Sequence, residues 1–277
     1  MNRIEGRYIS LLTDFGFIRI FGTKPNKDLL INFLNSLFDG FQVIKDVKYL
    51  NSEHVGDVFA ERKPIFDVYC ENEKGEKFIV EMQNASIFPI REQAPKGADW
   101  NFKLDHVYSV ALLNFDLEVE AFDKNDINHD VGLLDKKTHK VFNDKLSFKY
   151  VKIAKFDKTE DELVTLYDKW LYVLKNLSRL DERPAALKEK VFTKLFEEAE
   201  IAKFTPTELK EYEDSLKAYR DIKNSIDTAL EKGREEGRAE SKNLKVIQIA
   251  KKMLAAGMDI DTIINMTDLS KSEIEKL

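Results

Sequence analysis

The stretch "FDVYCENEKGEKFIVEMQ", residues 66–83, decides the fold of this 277-residue chain. Two runs rich in β-branched and aromatic residues flank "ENEKGE", which has the composition of a turn. Because side chains alternate across a strand, only one register makes a face uniform. With Asn72 opposite Glu76, six residues of one face are all apolar: Phe66, Val68, Cys70, Phe78, Val80 and Met82. The sequence therefore predicts a β-hairpin over residues 65–83.

The same register predicts a pair of acids on the other face of the hairpin. Asp67 stands opposite Glu81, and Gln83 follows on the same face. Directly opposed carboxylates destabilise a sheet and raise each other's pKa. A divalent cation such as Mg²⁺, which prefers oxygen ligands at about 2.0–2.1 Å, would offset this repulsion. Asp67, Glu81 and the backbone carbonyl of Met82 are the candidate ligands.

A plainer interpretation of the acid pair stays open from the residues alone. Opposed acids also occur on solvated sheet faces. The ammonium of Lys77, on the same predicted strand, would then screen their repulsion.

Composition bounds the class of protein. Hydrophobic residues make up 43% and charged residues 34%, a balance typical of a globular chain. The single cysteine, Cys70, excludes a disulfide framework within one chain, and its simplest role is a buried apolar residue. We find no signal segment and no apolar run of membrane-spanning length, so we expect a cytoplasmic protein without a membrane partner. A net charge of −6 argues modestly against a protein built on non-specific phosphate binding.

Hydrophobic periodicity predicts the remaining elements. Further strands are expected at residues 41–50, 106–115, 130–136 and 145–155. Helices are expected at residues 28–38, 160–176, 184–200 and 205–232, with Pro184 and Pro206 near helix starts. The charged stretch 233–243 fits either a continuous exposed helix or a flexible linker. The tail is expected to form helices at 244–255 and 259–266, followed by a short segment capped by Ser270.

These elements predict an α/β chain with a mixed-sheet core, a helical region and a small helical tail. We place the core at residues 1–158, the helical region and linker at 159–240, and the tail at 241–277. Most of the 19 phenylalanines precede residue 205, so the main hydrophobic core is expected in that part.

The hairpin resembles the signature of the PD-(D/E)XK nuclease superfamily, in which an acid precedes a hairpin and an acid-x-lysine follows on the next strand. Here glutamine stands in the lysine position. This form is similar to that of PD-(D/E)XK nuclease family transposases, the recombination-promoting nucleases. The similarity includes "LLTDFGFIRIFG", "NKDLLINFLN", "FPIREQ", "LYDKWLYVLKNL" and "EIAKFTPTELKEYEDSLKAYRD".

The resemblance implies a restriction-endonuclease-like core that hydrolyses phosphodiester bonds of DNA. It implies that Asp67 and Glu81 bind Mg²⁺ or Mn²⁺. It also implies that Gln83 orients the attacking water or contacts the scissile phosphate. Glutamine is neither a cation nor a general base, unlike lysine. Another group would therefore accept the proton.

Two departures from the family pattern bear on activity. Ile18 stands where related chains usually carry lysine, which removes a basic residue near the site. The segment after Gln83 is also shorter than in relatives, where it contributes to the helix that follows the catalytic strand. Since catalysis tolerates little misplacement of reacting groups, a weakened enzyme is one expectation. The alternative is a catalytically inactive relic that binds DNA or its own homologues.

Residues after the hairpin are weaker candidates for DNA contact. Arg91, Gln93 and Lys96 could reach phosphate, although a solvated helical face explains them equally well. A basic-aromatic DNA contact around Trp100 is less favoured than simple packing of that side chain. The four histidines lack metal-ligand spacing, so we assign them no catalytic role.

The tail has the rhythm of a helix-turn-helix. Its last segment carries Glu273 and Glu275 as well as lysines, whereas a recognition helix is usually richer in Arg, Asn and Gln. We therefore favour a protein–protein or self-association module over DNA reading. A homo-oligomer formed through the C-terminal helices, including 205–232, is expected.

Overall fold

The computed structural model describes residues 6–50, 68–82, 105–115, 119, 122–123 and 125–277. The chain divides into two compact units, Met1–Tyr219 and Arg220–Leu277. This division falls within a long helix. The three-part organisation inferred from the sequence, with boundaries at 158 and 240, stays a prediction.

The described strands of the first unit form one six-stranded mixed sheet. The strands are β1 (Val47–Tyr49), β2 (Val68–Asn72), β3 (Lys77–Met82), β4 (Val107–Leu113), β5 (Asn128–Leu134) and β6 (Val141–Lys152). Their order across the sheet is β1-β2-β3-β4-β6-β5. β3, β4 and β6 run parallel, whereas β2 pairs antiparallel with β3 and β5 pairs antiparallel with β6. This arrangement confirms the predicted mixed-sheet core.

The β2–β3 hairpin has the register that the alternation predicts. Val68 lies opposite Val80 and Cys70 lies opposite Phe78. The backbone N–H of Asn72 donates to the carbonyl of Glu76 at 3.0 Å, which closes the turn. The outermost predicted pairs of the hairpin include Phe66, Asp67 and Gln83, which lie outside the described residues.

The two faces of the hairpin contact different clusters. The predicted apolar face joins the main core, in which Val68, Cys70, Phe78, Val80 and Met82 are all buried. On the other face, buried residues of four strands form a smaller cluster: Tyr69, Ile79, Val107, Leu146 and Phe148. The sheet is therefore apolar on both sides along much of its length. This pattern is expected where parallel strands are covered on both faces.

Two helices precede the sheet and pack into the main core. They are α1 (Asp14–Phe21) and α2 (Lys27–Phe38). α2 ends at Asp39 and Gly40, both in left-handed conformation. The segment before α1 makes a tight turn in which the Thr13 side chain accepts from Gly16 N–H. A Cβ on Gly16 would lie 2.1 Å from the carbonyl oxygen of Ser10, so this position requires glycine.

The strand predicted at 41–50 forms only at Val47–Tyr49. The side chain of Asn35 explains the shortening, because it bonds both backbone groups of Ile44 at 2.8 Å. The backbone groups of Ile44, which a neighbouring strand would otherwise bond, are thus bonded by the side-chain amide of Asn35 on α2.

The first three helices after the sheet are α3 (Leu166–Asn176), α4 (Lys190–Glu198) and α5 (Pro206–Ala255). Pro206 begins α5 as predicted, whereas Pro184 lies six residues before α4. The prediction at Pro184 was wrong because this proline forms a turn, its carbonyl accepting from Leu187 N–H at 3.0 Å. The stretch 233–243 is continuous helix within α5, which selects the first of the two predicted alternatives.

The second unit contains the end of α5 and two short helices, α6 (Ile260–Thr267) and α7 (Lys271–Ile274). Gly257 separates the first two with a left-handed conformation, φ 77°. Ser270 caps α7 by accepting from Glu273 N–H, as the sequence predicted. Their small core consists of five buried residues: Ala250, Met253, Ile263, Leu269 and Ile274.

Candidate functional site

The predicted metal ligands lie at the end of β3, and two of them are within the described residues. Glu81 is buried, with 3% of its surface exposed. Met82 is also buried, and its side chain belongs to the main core. Asp67 and Gln83 lie outside the described residues, as do the candidate DNA-contact residues. The candidate DNA-contact residues are Arg91, Gln93, Lys96 and Trp100.

The turn of the hairpin holds the strand that carries Glu81 in register. The side-chain oxygen of Asn72 accepts from the backbone N–H groups of Lys74 and Glu76, both at 3.0 Å. Its amide nitrogen donates to the Glu76 carboxylate at 2.7 Å. Gly75 adopts φ 80°, a left-handed conformation suited to glycine. This short, well-bonded turn resists a slip that would carry Glu81 to the other face.

Strand pairing places Glu81 in a row of residues that crosses the sheet. Glu81 pairs with Ala111 on β4, Ala111 with Tyr150 on β6, and Tyr150 with His129 on β5. Neighbouring strands lie about 4.8 Å apart, so the backbone of Tyr150 is roughly 10 Å from that of Glu81. Ala111, with only a methyl group, stands between them. Glu81 is thus separated from the next polar side chain of its row by one small residue.

A buried lysine, Lys152, lies two residues beyond Tyr150 on β6. Lys152 is 1% exposed, and its ammonium donates to the carbonyl of Asp123 at 3.2 Å. No carboxylate lies within ion-pair distance of Lys152 in the part of the chain that the structure describes. Lys152 shares its sheet face with Tyr150 because both are even-numbered residues of one strand. Sequence reasoning missed it, although a lysine in the apolar run "YVKIA" was the available signal.

His129, which received no role from the sequence, is buried beside this position. Its ring stacks on Phe122 with centroids 4.0 Å apart and planes 3° from parallel. Its Nε2 has no hydrogen-bond partner among the described residues. His129 and Lys152 are diagonal neighbours on one sheet face, since His129 pairs with Tyr150.

Lys77 does not screen the charge of Glu81, as the plainer interpretation of the acid pair suggested. Its ammonium pairs with Asp105 at 3.0 Å and with Glu71 at 3.6 Å. Four residues of strand, or about 13 Å, separate its backbone from that of Glu81. Glu81 is also buried rather than solvated. Screening of Glu81 by Lys77 on an open sheet face is therefore excluded.

Cys70 has the structural role that the sequence suggested. Its side chain is fully buried in the main core. Burial disfavours the thiolate and raises the pKa of the Cys70 thiol to about 12. A thiol in this state is a poor nucleophile and a poor metal ligand.

Within the described ranges, no group of three or more His, Cys, Asp or Glu side chains could hold a metal ion. The predicted metal site draws on Asp67, which lies outside them, so it stays a prediction. Glu81 fits such a site chemically, because a buried carboxylate is a hard oxygen donor.

The mixed sheet, the confirmed hairpin and the following helices define a restriction-endonuclease-like α/β protein. The family model described as PD-(D/E)XK nuclease family transposase matches residues 11–229, and the chain belongs to this family. The resemblance inferred from the hairpin is thereby confirmed. No curated protein and no solved structure matches the chain.

A second family model matches the tail. It is described as the C-terminal HTH domain of the Rpn/YhgA-like nuclease family and covers residues 243–277. The predicted helix-turn-helix rhythm is confirmed, and the domain type indicates DNA binding. Among the described helices, none is long and apolar enough to cross a membrane.

Proposed function

We propose that the chain is a Mg²⁺-dependent DNA endonuclease associated with recombination or transposition. Asp67 and Glu81 hold the cation together with the backbone carbonyl of Met82. Gln83 positions the attacking water or the scissile phosphate. Mn²⁺ is expected to substitute for Mg²⁺ because both accept oxygen ligands.

One observation carries this proposal: the register of the β2–β3 hairpin, which pairs Val68 with Val80. Extended by one pair, this register predicts Asp67 opposite Glu81. Facing residues of an antiparallel pair have Cβ atoms about 4.5–5.5 Å apart, close enough to share one cation. The buried setting of Glu81 supports the proposal further, because attraction between a carboxylate and a cation strengthens away from water.

The chemistry is divided between the cation and the side chains. A divalent cation lowers the pKa of water and offsets charge that builds on the phosphate. Asp67 and Glu81 would bind it through their carboxylate oxygens. The Gln83 amide donates one hydrogen bond and accepts another, so it can orient a water or a phosphate oxygen but cannot take the proton.

Plasmid cleavage tests the proposal. Purified full-length protein should nick or cut supercoiled DNA in Mg²⁺, and EDTA should stop it. Asp67→Ala and Glu81→Gln should each abolish cleavage. Glu71→Gln is the matched control, since Glu71 lies on the same hairpin and pairs with Lys77 instead. Equal cleavage by wild type, Asp67→Ala and Glu81→Gln would reject the assigned site.

A non-catalytic protein that binds DNA or its own homologues is the second candidate. The match of residues 243–277 to a helix-turn-helix domain supports it. Ile18, half-buried on α1, stands where the family pattern carries lysine, which also weighs against full activity. Wild-type protein that binds duplex DNA but leaves plasmid intact in Mg²⁺ and in Mn²⁺ would favour this candidate.

A homo-oligomer through the C-terminal helices is proposed on two features of the tail. Residues 243–277 carry five lysines and five acids, so they lack the basic excess typical of DNA-reading modules. Large apolar side chains are exposed there, at Leu244, Ile249 and Met266. Light scattering should give a mass above that of one chain, and Ile249→Ser with Met266→Ser should lower it. A monomeric wild-type mass would contradict the oligomer.

A further inference from the structure

The β5–β6 hairpin extends beyond the rest of the sheet. β4 pairs with β6 only from Leu146 to Lys152. The preceding residues 141–145 remain strand, and among the described strands they pair only with β5. Five residues of strand correspond to about 16 Å. Residues 133–145 therefore form a two-stranded arm, named the β5–β6 arm below.

The β5–β6 arm exposes a cluster of large apolar side chains. The exposed fractions are 78% for Phe142, 65% for Val141, 54% for Leu134 and 40% for Leu133. Leu134 and Val141 are paired across the two strands. The register of the arm shifts between Gly132 and Leu133 and again between Leu133 and Leu134, so its exposed apolar side chains do not follow the regular alternation of a strand pair. Clustered exposure of this kind marks an interaction site more often than an accidental surface.

The arm is also basic, in contrast to the chain as a whole. It carries four exposed lysines, at positions 136, 137, 140 and 145, and only two acids. The chain has a net charge of −6. None of these lysines forms an ion pair within the part of the chain that the structure describes. Four exposed lysines therefore lie on the same arm as the apolar cluster.

Asp135, one of the two acids of the β5–β6 arm, stabilises the turn that joins the two strands. The Asp135 carboxylate accepts from the backbone N–H and the hydroxyl of Thr138, both at 2.7 Å. These hydrogen bonds lower the pKa of Asp135. The turn is closed further by Asp135 N–H, which donates to the carbonyl of Lys140 at 2.9 Å. The lysines are thus presented on an ordered turn.

We propose that the β5–β6 arm binds duplex DNA by entering one of its grooves. A two-stranded ribbon fits the major groove, which is about 12 Å wide. Lys136, Lys137 and Lys140 would neutralise phosphates at the groove edges, while Phe142 makes apolar contact with base edges or steps. This inference rests on the proposed function, since it supplies a second contact to the same substrate.

The arm lies at a useful distance from the predicted cleavage site. Glu81 is aligned across the sheet with Tyr150 through Ala111. Tyr150 lies nine residues along β6 from Val141. Nine residues of strand span about 30 Å, close to the 34–36 Å of one DNA turn. A duplex lying along the strands would meet the arm about one turn from the cleaved bond. A duplex of 8 base pairs, about 27 Å long at 3.4 Å per pair, is too short to contact both places at once, whereas one of 24 base pairs can span them.

The charge of the arm argues against a second copy of this chain as its occupant. Two arms brought together would oppose like charges around their apolar clusters, which is unfavourable. DNA instead offers negative charge on both sides of a groove. Self-association is accordingly an outcome of the test that would count against the proposal.

The test is equilibrium binding of a fluorescent 24-base-pair duplex by the full chain in EDTA, at several salt concentrations. The triple variant K136Q/K137Q/K140Q should reduce the slope of log K against log salt by about 2.7, which is 0.9 for each phosphate contact. The variant K24Q/K188Q/K190Q is the matched control, with three exposed lysines elsewhere in the same unit. Its slope should equal that of wild type.

The apolar contribution is tested separately with Phe142→Ser, which alters an exposed side chain. This variant should bind several-fold more weakly with an unchanged salt slope. Equal slopes for the arm variant and the control variant would overturn the proposal. The proposal would also be overturned if wild type failed to bind the duplex. It would be overturned likewise if Phe142→Ser changed the oligomeric mass without changing the affinity for DNA. Because EDTA prevents cleavage, a catalytically inactive protein would still pass this test.

Discussion

Glu81 on β3 and Ala111 on β4 are paired in parallel register, so a methyl group stands beside the carboxylate at the end of the hairpin strand. On its other side β3 pairs with β2, the strand that Asp67 immediately precedes. The predicted acid pair is therefore bounded by a tight turn at one end and a small residue in the next strand. The hairpin alone carries every group assigned to cation binding.

The close packing at Gly16 predicts a large effect of a small substitution. Gly16→Ala should lower the free energy of unfolding by about 2–3 kcal/mol, because the added Cβ meets the Ser10 carbonyl at 2.1 Å. Gly233→Ala is the control, since a Cβ there would meet no heavy atom within 4 Å apart from the adjacent backbone of its own helix. In mid-helix it should stabilise by up to about 1 kcal/mol. Urea unfolding of both variants measures the contrast, and equal stabilities would contradict it.

The turn residue Asn72 predicts a loss of stability in the hairpin. Asn72→Ala removes two accepted hydrogen bonds and one donated bond from a residue that is 5% exposed. Leaving such groups unpaired should cost about 1–3 kcal/mol. Thermal unfolding is the measurement, with Asn224→Ala on the exposed face of α5 as control. If both variants melt like wild type, the turn does not stabilise the register.

Glu208 at the start of α5 predicts a pH-dependent contribution to stability. Hydrogen bonds from the backbone and hydroxyl of Thr205, with the guanidinium of Arg19, lower the pKa of Glu208 from 4.5 to about 2. A group whose pKa is lower in the folded state stabilises the fold above its unfolded pKa, and this contribution fades as pH falls toward 2. The stability difference between wild type and Glu208→Gln should therefore shrink between pH 5 and pH 2.5. Glu211→Gln, an exposed acid on the same helix, controls for general charge effects; a Glu208 difference constant with pH would contradict the prediction.

The features that could be predicted from sequence are those set by local alternation. Only one register makes a face of the hairpin uniformly apolar, so the pairing of Val68 with Val80 follows from sequence alone. The capping of α7 by Ser270 is local for the same reason. Residues 233–243 were ambiguous because two glycines disfavour a helix while the charged residues around them favour one.

The features that were not predicted from the sequence depend on residues that are distant from them in the chain. The strand at 41–50 was overestimated because Asn35, on α2, supplies the hydrogen bonds that a strand would have made. Lys152 and His129 share a sheet face with the row of Glu81 only through the pairing of β4, β5 and β6. Strand order of this kind is not encoded in the periodicity of any single segment.

Calorimetric titration of the purified full chain with Mg²⁺ and Mn²⁺ tests the central claim most directly. Wild type and Glu71→Gln should each take up a divalent cation with the same affinity. Asp67→Ala and Glu81→Ala should each abolish this uptake while keeping the unfolding transition. Absence of cation uptake by wild type, or undiminished uptake by Asp67→Ala and Glu81→Ala, would contradict the assignment of these two carboxylates as the metal site.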